Sequence, residues 1–354
     1  MKLTITRAQT LKPKPDDHQL GFGSIFTDHM FNMDYHPDKG WHNPRIEPYG
    51  PISMDPATMV LHYGQAVFEG LKAYCNPGGG IQLFRPTDNF RRLNRSSKRL
   101  CIPETDSAFV LDALKKLVSI EKEWVPKAAG TSLYIRPTIV AMDPFLGVRA
   151  SHTYRFFIIL SPVGAYYAEG FNPVKILVTP NYVRAVRGGV GEAKTAGNYA
   201  ASLLAGEDAH REGYTQVLWL DGVEQTYIEE VGSMNIFFVI GGELITPALG
   251  GSILPGITRD SVIQLCRSWG MSVVERQISI QEIIASHANG NLTEVFGSGT
   301  AAVISPVGEL KYGDQVITIG DGGVGAVAGR LFNAIQDIQY GAAEDAMGWV
   351  VPVE

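Results

Sequence analysis

The chain has 354 residues, 45% hydrophobic and 19% charged, with a net charge of −6. Domains usually run to about 100–200 residues, so two are expected, and the hydrophobic fraction supports a full core rather than disorder. The acidic balance argues against nucleic-acid binding, which draws on a positive field. Three scattered cysteines, Cys75, Cys101 and Cys266, form no C-x-x-C pair. That argues against a disulfide framework or a metal site and fits reduced thiols in the cytoplasm. The first twenty residues lack the apolar core of a secretory signal. No run of about 18 apolar residues is present to cross a membrane.

In chain order, residues 1–20 are polar, carry Pro13 and Pro15, and read as an extended arm. Ile25–Tyr35 and Trp41–Pro51 read as strands around the turn at 36–40, and Phe68–Tyr74 and Ile81–Phe84 as a second pair around Asn76–Gly80. Two helices follow. Thr87–Leu100 puts Phe90, Leu93 and Ser97 on one face, and Asp106–Glu123 repeats Phe109, Leu111, Leu114, Leu117 and Val118 at helical spacing. Ser132–Met142 and Tyr154–Leu160 read as buried strands. Residues 162–173 interrupt the pattern with two prolines and two glycines. This places a smaller α/β domain at 1–165, a linker at 166–174 and a larger domain at 175–354. Beyond it, strands are expected at Val174–Thr179, Gln216–Leu220, Ser233–Ile240 and Ser272–Gln277. Helices are expected at Asn198–Arg211, Thr258–Trp269 and Ala326–Tyr340. Strict βαβ alternation is absent, so the class is α+β with mixed sheets rather than a doubly wound fold.

The most informative segment runs from Arg187 to Tyr199 and holds four glycines around Lys194. Three readings compete. A glycine-rich surface turn with a solvated lysine is the plainest. A phosphate loop of a nucleotide-binding protein needs G-x-x-x-x-G-K-[ST]; Gly188, Lys194 and Thr195 fit its spacing, but Ala193 stands where glycine is required. A Schiff-base lysine needs an amine that can become neutral and partners that grip a flat ring and its phosphate. Such partners exist elsewhere. The pyridine nitrogen of pyridoxal phosphate needs an acid opposite it, and the apolar segment Tyr227–Phe238 carries Glu229 and Glu230. Neighbours on a strand face opposite sides, so one of the two is expected to face inward. Leu254–Asp260 opens a helix whose first N–H groups suit an anion, and Gly297–Thr300 is a loop of similar character. Arg92 sits among Arg91, Arg95, Lys98 and Arg99, and spacing alone does not select it.

Eight ordered segments carry a resemblance over residues 21–340: FGSIFTDHM, LHYGQAVFEGLKAY, GTSLYIRP, SPVGAYY, GGVGEAKTAGNYA, EEVGSMNIFF, LPGITRDS and EVFGSGTAAVISPV. Together they resemble the branched-chain amino acid aminotransferases of bacterial type, class IV aminotransferases of fold type IV among the pyridoxal-phosphate enzymes. The resemblance implies a two-domain α+β fold with mixed sheets and the cofactor at the domain interface, in the larger C-terminal domain. It makes Lys194 the Schiff-base lysine and proton shuttle, and selects Glu230 over Glu229 as partner of the ring nitrogen. Tyr199 is similar to the tyrosine that bonds the ring hydroxyl. Arg92, Ile257, Thr258 and Thr300 correspond to the phosphate contacts. Phe22, Tyr63, Phe68, Tyr134, Tyr166 and Ala301 match the substrate lining, Arg136 a polar contact there, and Val148 a residue that crosses into a neighbouring subunit. Ser233 stands where other members have threonine and keeps the hydroxyl. Some animal members carry C-x-x-C after GSGT; here Ala301–Ser305 follow, so no thiol switch is expected.

The implied reaction is a reversible ping-pong transfer of the amino group between L-leucine, L-isoleucine or L-valine and 2-oxoglutarate, in a cytoplasmic homodimer without metal. Glutamate and the branched-chain 2-oxo acids complete the substrate set. Another fold-type IV enzyme, a D-amino acid aminotransferase or an aminodeoxychorismate lyase, is the near alternative. A phosphate-loop nucleotide-binding protein, or an inactive relative serving as a binding subunit, is the distant one.

Overall fold

The computed structural model describes residues 1–164, 166 and 171–353, so residues 167–170 of the expected linker lie outside the described residues. The chain divides into two compact units. The first takes Met1–Tyr166, Ala193–Ala196 and Asp337–Glu354; the second takes Tyr167–Glu192 and Gly197–Gln336.

In the first unit the strands are β1 (Thr4–Ile5), β2 (His29–His36), β3 (Gly40–Pro48), β4 (Ala66–Phe68), β5 (Leu71–Cys75), β6 (Ile81–Phe84), β7 (Ser132–Ala141) and β8 (Tyr154–Val163). They pair in the order β1-β3-β2-β8-β7-β5-β6, with β4 also on β7. The β1–β3 pairing is parallel and the rest antiparallel. The expected strand Phe68–Tyr74 is therefore two strands, broken at Glu69-Gly70. The break has a physical cause: the Glu69 carboxylate and the Gly70 carbonyl both accept from Asn89, at 2.8 and 3.2 Å.

Three helices accompany this sheet: α1 (Met59–Tyr63), α2 (Pro86–Arg99) and α3 (Ser107–Ile120). The five-residue α1 escaped the sequence reading because its period is too short to register; it ends at Gly64, whose φ of 61° is left-handed. Pro86 suits the first turn of α2, and Asp106 caps α3 by accepting from the Ala108 and Phe109 N–H groups. Phe90 and Leu93 enter the core as expected. On α3 the inner stripe is Val110, Ala113, Leu114, Leu117 and Val118, while Phe109 and Leu111 are only half-buried. The expected face thus holds at Leu114, Leu117 and Val118, while in the first turns Val110 and Ala113 take the inner positions instead of Phe109 and Leu111.

In the second unit the strands are β9 (Val174–Thr179), β10 (Gln216–Leu220), β11 (Ile228–Val231), β12 (Asn235–Ile240), β13 (Glu243–Thr246), β14 (Val273–Glu275), β15 (Leu292–Gly299), β16 (Val303–Tyr312) and β17 (Gln315–Thr318). Their order is β11-β10-β9-β16-β15-β12-β13-β14, with β17 on β16. Pairings β9–β10, β9–β16 and β13–β14 are parallel, so the sheet is mixed and the class is α+β. The helices are α4 (Ala196–Ala200), α5 (Leu203–Arg211), α6 (Ile257–Ser268), α7 (Ile280–Ala288) and α8 (Ala326–Gln339). The single helix expected over Asn198–Arg211 is interrupted between α4 and α5, where the Ser202 hydroxyl donates to the Tyr199 carbonyl at 2.7 Å. Serine favours such local bonds over helix continuation.

The C-terminus departs from the expected division. Strand β18 (Val350–Val353) pairs antiparallel with β6, and the Arg85 N–H donates to the Trp349 carbonyl at 2.7 Å. Trp349 stands edge-on to Phe84, with ring centroids 5.6 Å apart. Residues from Asp337 onward thus belong to the first unit rather than to a block 175–354. Pairing with β18 satisfies a strand edge that would otherwise stay open. Trp349→Ala should lower unfolding stability by about 3–5 kcal/mol; a shifted midpoint in chemical denaturation with unchanged slope checks this.

Candidate active site

Lys194 lies in the first unit and is fixed through its main chain. Its N–H donates to the Ser96 hydroxyl of α2 at 2.9 Å, and its carbonyl accepts from the Phe68 N–H at 3.0 Å. Thr195 forms an antiparallel bridge with Val67 of β4, and its hydroxyl donates to the Ala66 carbonyl at 2.7 Å. Ala193 and Thr195 are buried on either side. This is a strand-like splice onto β4, which removes the solvated-turn reading. No strand precedes the loop between Thr179 and Lys194, so a phosphate loop lacks its platform.

Beside this splice runs a buried ion pair that sequence reasoning missed. The Arg92 guanidinium donates twice to Glu69, at 2.7 and 2.8 Å, and Glu69 is fully buried. Such a two-pronged bond fixes the arginine's plane as well as its position. Burial by itself would raise the Glu69 carboxyl. The Arg92 charge and hydrogen bonds, then the Lys194 charge and Asn89, outweigh it and hold the group below its ordinary value of 4.5. The available signal was an acid inside the apolar run of FEG, since a buried charge requires a partner.

An aromatic array continues from there. The Lys194 ammonium stands 5.1 Å from the Phe68 ring centre, and the Arg136 guanidinium 4.9 Å from the same ring. Arg136 donates to the Tyr134 hydroxyl at 3.0 Å, while its Nε is buried without a hydrogen-bond partner among the described residues. Phe22 meets Tyr134 and Tyr166 edge-on, at 5.1 and 4.9 Å. Tyr134 lies over Gly70: a Cβ there would stand 2.1 Å from its hydroxyl, so glycine is required. Lys72, paired across β5 and β7 with Tyr134, is buried, and burial lowers its ammonium to about 8. The structure thus brings together Lys194, Phe68, Arg136, Tyr134, Phe22 and Tyr166. Tyr63 and Val148 stand apart on the exposed surface, where the Tyr63 hydroxyl donates to the Leu146 carbonyl.

The second unit holds Tyr199, Glu230, Ser233, Ile257, Thr258, Thr300 and Ala301. Glu230 on β11 forms an ion pair with Arg184 at 2.9 Å and accepts from the Leu254 N–H at 2.7 Å. The expectation that only one of the adjacent glutamates faces inward is corrected: Glu229 is buried too. The two point to opposite faces, as strand geometry requires, but both faces are covered. Glu229 accepts from the Ser252 hydroxyl, and burial still pushes its carboxyl up. Arg184 was the unread signal; the sequence showed it only as an arginine ahead of the glycine loop.

Helix α6 begins at Ile257 after an extended Gly256, and no side chain caps it. A Cβ on Gly256 would stand 2.0 Å from the Asn235 Oδ1, and Asn235 in turn donates to the Leu254 carbonyl at 2.9 Å. Asn235 is paired with Ser298, whose hydroxyl is buried without a hydrogen-bond partner among the described residues. Thr300 and Ala301 form the turn between β15 and β16, and Ser233 the turn before β12. A helix start without a side-chain cap and a buried unpaired hydroxyl are groups of the kind an anion such as a phosphate requires. The residues present therefore fit the phosphate end of a pyridoxal cofactor. Among the described residues there is no group of three His, Cys, Asp or Glu that could hold a metal, and no helix is long and apolar enough to cross a membrane.

Glu69→Gln should lower stability by about 3–5 kcal/mol, because it leaves a buried guanidinium charge uncompensated. Since the folded Glu69 carboxyl lies below its ordinary value, the stabilisation is complete above about pH 4.5 and is lost as pH falls through the depressed value. Comparing the acid limbs of the two unfolding curves tests this; parallel limbs would contradict it.

Comparison with known proteins agrees with this chemistry. Residues 66–310 match the family model for amino-transferase class IV. The branched-chain-amino-acid aminotransferase 2 of Bacillus subtilis (strain 168) is 60% identical, covering 99% of this chain and 97% of that relative. The Escherichia coli branched-chain amino acid aminotransferase crystal structure aligns with a TM-score of 0.78 at 30% identity, covering 92% of this chain and 99% of the other. The T.th. branched-chain amino acid aminotransferase complexed with N-(5'-phosphopyridoxyl)-L-glutamate aligns with a TM-score of 0.76 at 26% identity, covering 95% of this chain and 99% of the other. The chain belongs to the class IV aminotransferases, among the branched-chain amino acid aminotransferases.

Proposed function

We propose that this chain moves the amino group between branched-chain L-amino acids and 2-oxoglutarate, with pyridoxal 5'-phosphate as cofactor and Lys194 as its anchor and proton carrier. The observation that carries the reading is the pinned main chain of Lys194, set beside the buried Glu69–Arg92 pair. When bound, the cofactor supplies the carbonyl that takes up the amino group and the electron sink that loosens the substrate's α-hydrogen. Lys194 Nζ would anchor it and would carry the proton to and from the substrate's α-carbon. Glu230, oriented by Arg184 and the Leu254 N–H, holds the ring-nitrogen proton. Tyr199 bonds the ring hydroxyl. Arg92, the N–H groups of Ile257 and Thr258, and Thr300 hold the phosphate.

Phe22, Phe68, Tyr134, Tyr166, Ser233 and Ala301 line the substrate pocket. An apolar pocket separates side chains differing by one methylene by only about 1–3 kcal/mol, so leucine, isoleucine and valine all serve. Arg136, with its unpaired Nε, meets the carboxylate of glutamate.

Val148 acts in a homodimer. It is 84% exposed, and Leu61, Tyr63, Phe145 and Leu146 are also exposed in the same unit. Tyr63 and Leu146 are bonded to each other, and the Phe145 N–H is bonded to the segment leading into α1, so residues 145–146 and 63 lie close together on the exposed surface. Apolar surface of this kind marks an interaction face, and a second copy covers it. The assembly works in the cytoplasm without nucleic acid or metal.

Purified protein should absorb in the near-visible, L-leucine should bleach that band, and leucine with 2-oxoglutarate should yield glutamate. Lys194→Ala should lower turnover by about 10²–10⁴-fold or more, the range of a lost proton-transfer group. A protein that stays colourless after loading with cofactor, or turns over D-alanine and not leucine, contradicts the reading. Leu146→Asp with Val148→Asp should convert dimer to monomer in sedimentation and reduce kcat/KM for leucine; an unchanged sedimentation coefficient contradicts the interface.

A further inference from the structure

A second concavity, in the second unit, has no part in the reaction above. It encloses about 420 Å³ beside β11, between residues 221–227 and 247–253. Its lining includes the apolar Ile228, Leu249 and Ile253 and the charged Arg187, Asp221, Glu224 and Glu229. Asp221 is already held by the backbone N–H groups of Val223, Glu224, Thr226 and Tyr227. Glu229 is only 9% exposed, and its Oε2 has no hydrogen-bond partner among the described residues. A buried acceptor left unpaired costs about 1–3 kcal/mol, which a donor brought by a ligand would recover. Burial raises its carboxyl above the ordinary value, against the Ser252 hydrogen bond and the Arg184 charge. Arg187 is exposed at the rim and makes no ion pair among the described residues. Its Nη2 rests at Gly250, 3.7 Å from where a Cβ would stand, so the guanidinium lies along the pocket wall.

One guanidinium, one buried carboxylate short of a donor, and an aliphatic wall form a complementary set for a single class of molecule. The geometry points to a second, non-catalytic binding site for an aliphatic α-amino acid in its zwitterionic form. The carboxylate meets Arg187, the ammonium serves Glu229, and the side chain lies on Ile228, Leu249 and Ile253. The pocket also adjoins the support of the cofactor acid. Ser252 lines it and donates to Glu229, its carbonyl accepts from Arg184, and Arg184 is ion-paired with Glu230. The pocket thus lies one residue, Ser252, away from the Arg184–Glu230 pair.

The test uses holoenzyme whose cofactor has been fixed to Lys194 with borohydride, so that an added amino acid cannot react. L-Leucine is titrated calorimetrically into this protein and into its Arg187→Ala and Glu229→Gln forms. Saturable binding is expected, weakened about tenfold or more by either substitution, as loss of a charge-assisted hydrogen bond requires. Leucine methyl ester and N-acetyl-leucine, each lacking one charge, should bind the unaltered protein more weakly by a similar factor. Turnover of leucine by unreduced Arg187→Ala should match the unaltered enzyme, which reports separately on the reaction assigned above. Absence of saturable binding, leucine affinity unchanged by Arg187→Ala, or ester binding equal to leucine would overturn the site.

Discussion

Everything in the proposed chemistry depends on where one amine is held, and that position is set by main-chain bonds rather than by the lysine side chain. The Lys194 N–H and carbonyl are tied to Ser96 and Phe68, and the Thr195 hydroxyl to Ala66. A lysine side chain has several rotatable torsions and loses appreciable entropy when ordered. Fixing the backbone on both sides lowers that cost and lets the side chain alone carry the movement of the amine. The splice of residues 193–196 onto β4 is the constraint from which the Phe68, Arg136 and Tyr134 array follows, because β4 and its neighbour β7 carry those side chains.

The buried charges follow a common rule. Glu69 has Arg92 and Glu230 has Arg184, each within hydrogen-bonding range. Removing one partner of such a pair is costly, while the pair itself contributes little net stability. Each pair holds its charged groups rigidly, which suits the docking of a charged ligand in the proposed reaction. Glu229 departs from this pattern. It is buried like its neighbour but has only a serine hydroxyl on one oxygen. The two adjacent acids thus differ: Glu230, proposed to face the cofactor ring, is paired with Arg184, and Glu229 is left short of a donor beside a pocket.

Much of the fold was legible in the sequence, and the failures have definite causes. Strands β9 and β10 coincide with the expected ranges because apolar runs bounded by turn residues fix them locally. Helix α6 was readable from its Gly-Ile-Thr opening. The break at Glu69-Gly70 was not, because it depends on Asn89, nineteen to twenty positions away. The return of β18 to β6 pairs residues more than 260 positions apart, which no local pattern encodes. At the site, spacing gave Lys194 and a choice between Glu229 and Glu230, and the resemblance made the choice. Neither could give Arg184, Asn235 or Glu69, whose roles lie in side-chain contacts between elements distant in sequence.

The central claim is that the Lys194 amine, among all the lysines of the chain, carries the cofactor. Borohydride reduction of the purified holoenzyme, followed by proteolysis and mass mapping, tests it most directly. The account predicts a phosphopyridoxyl group on the peptide containing Lys194 and on no other. A label on the buried Lys72, or on any surface lysine with Lys194 unmodified, would contradict it.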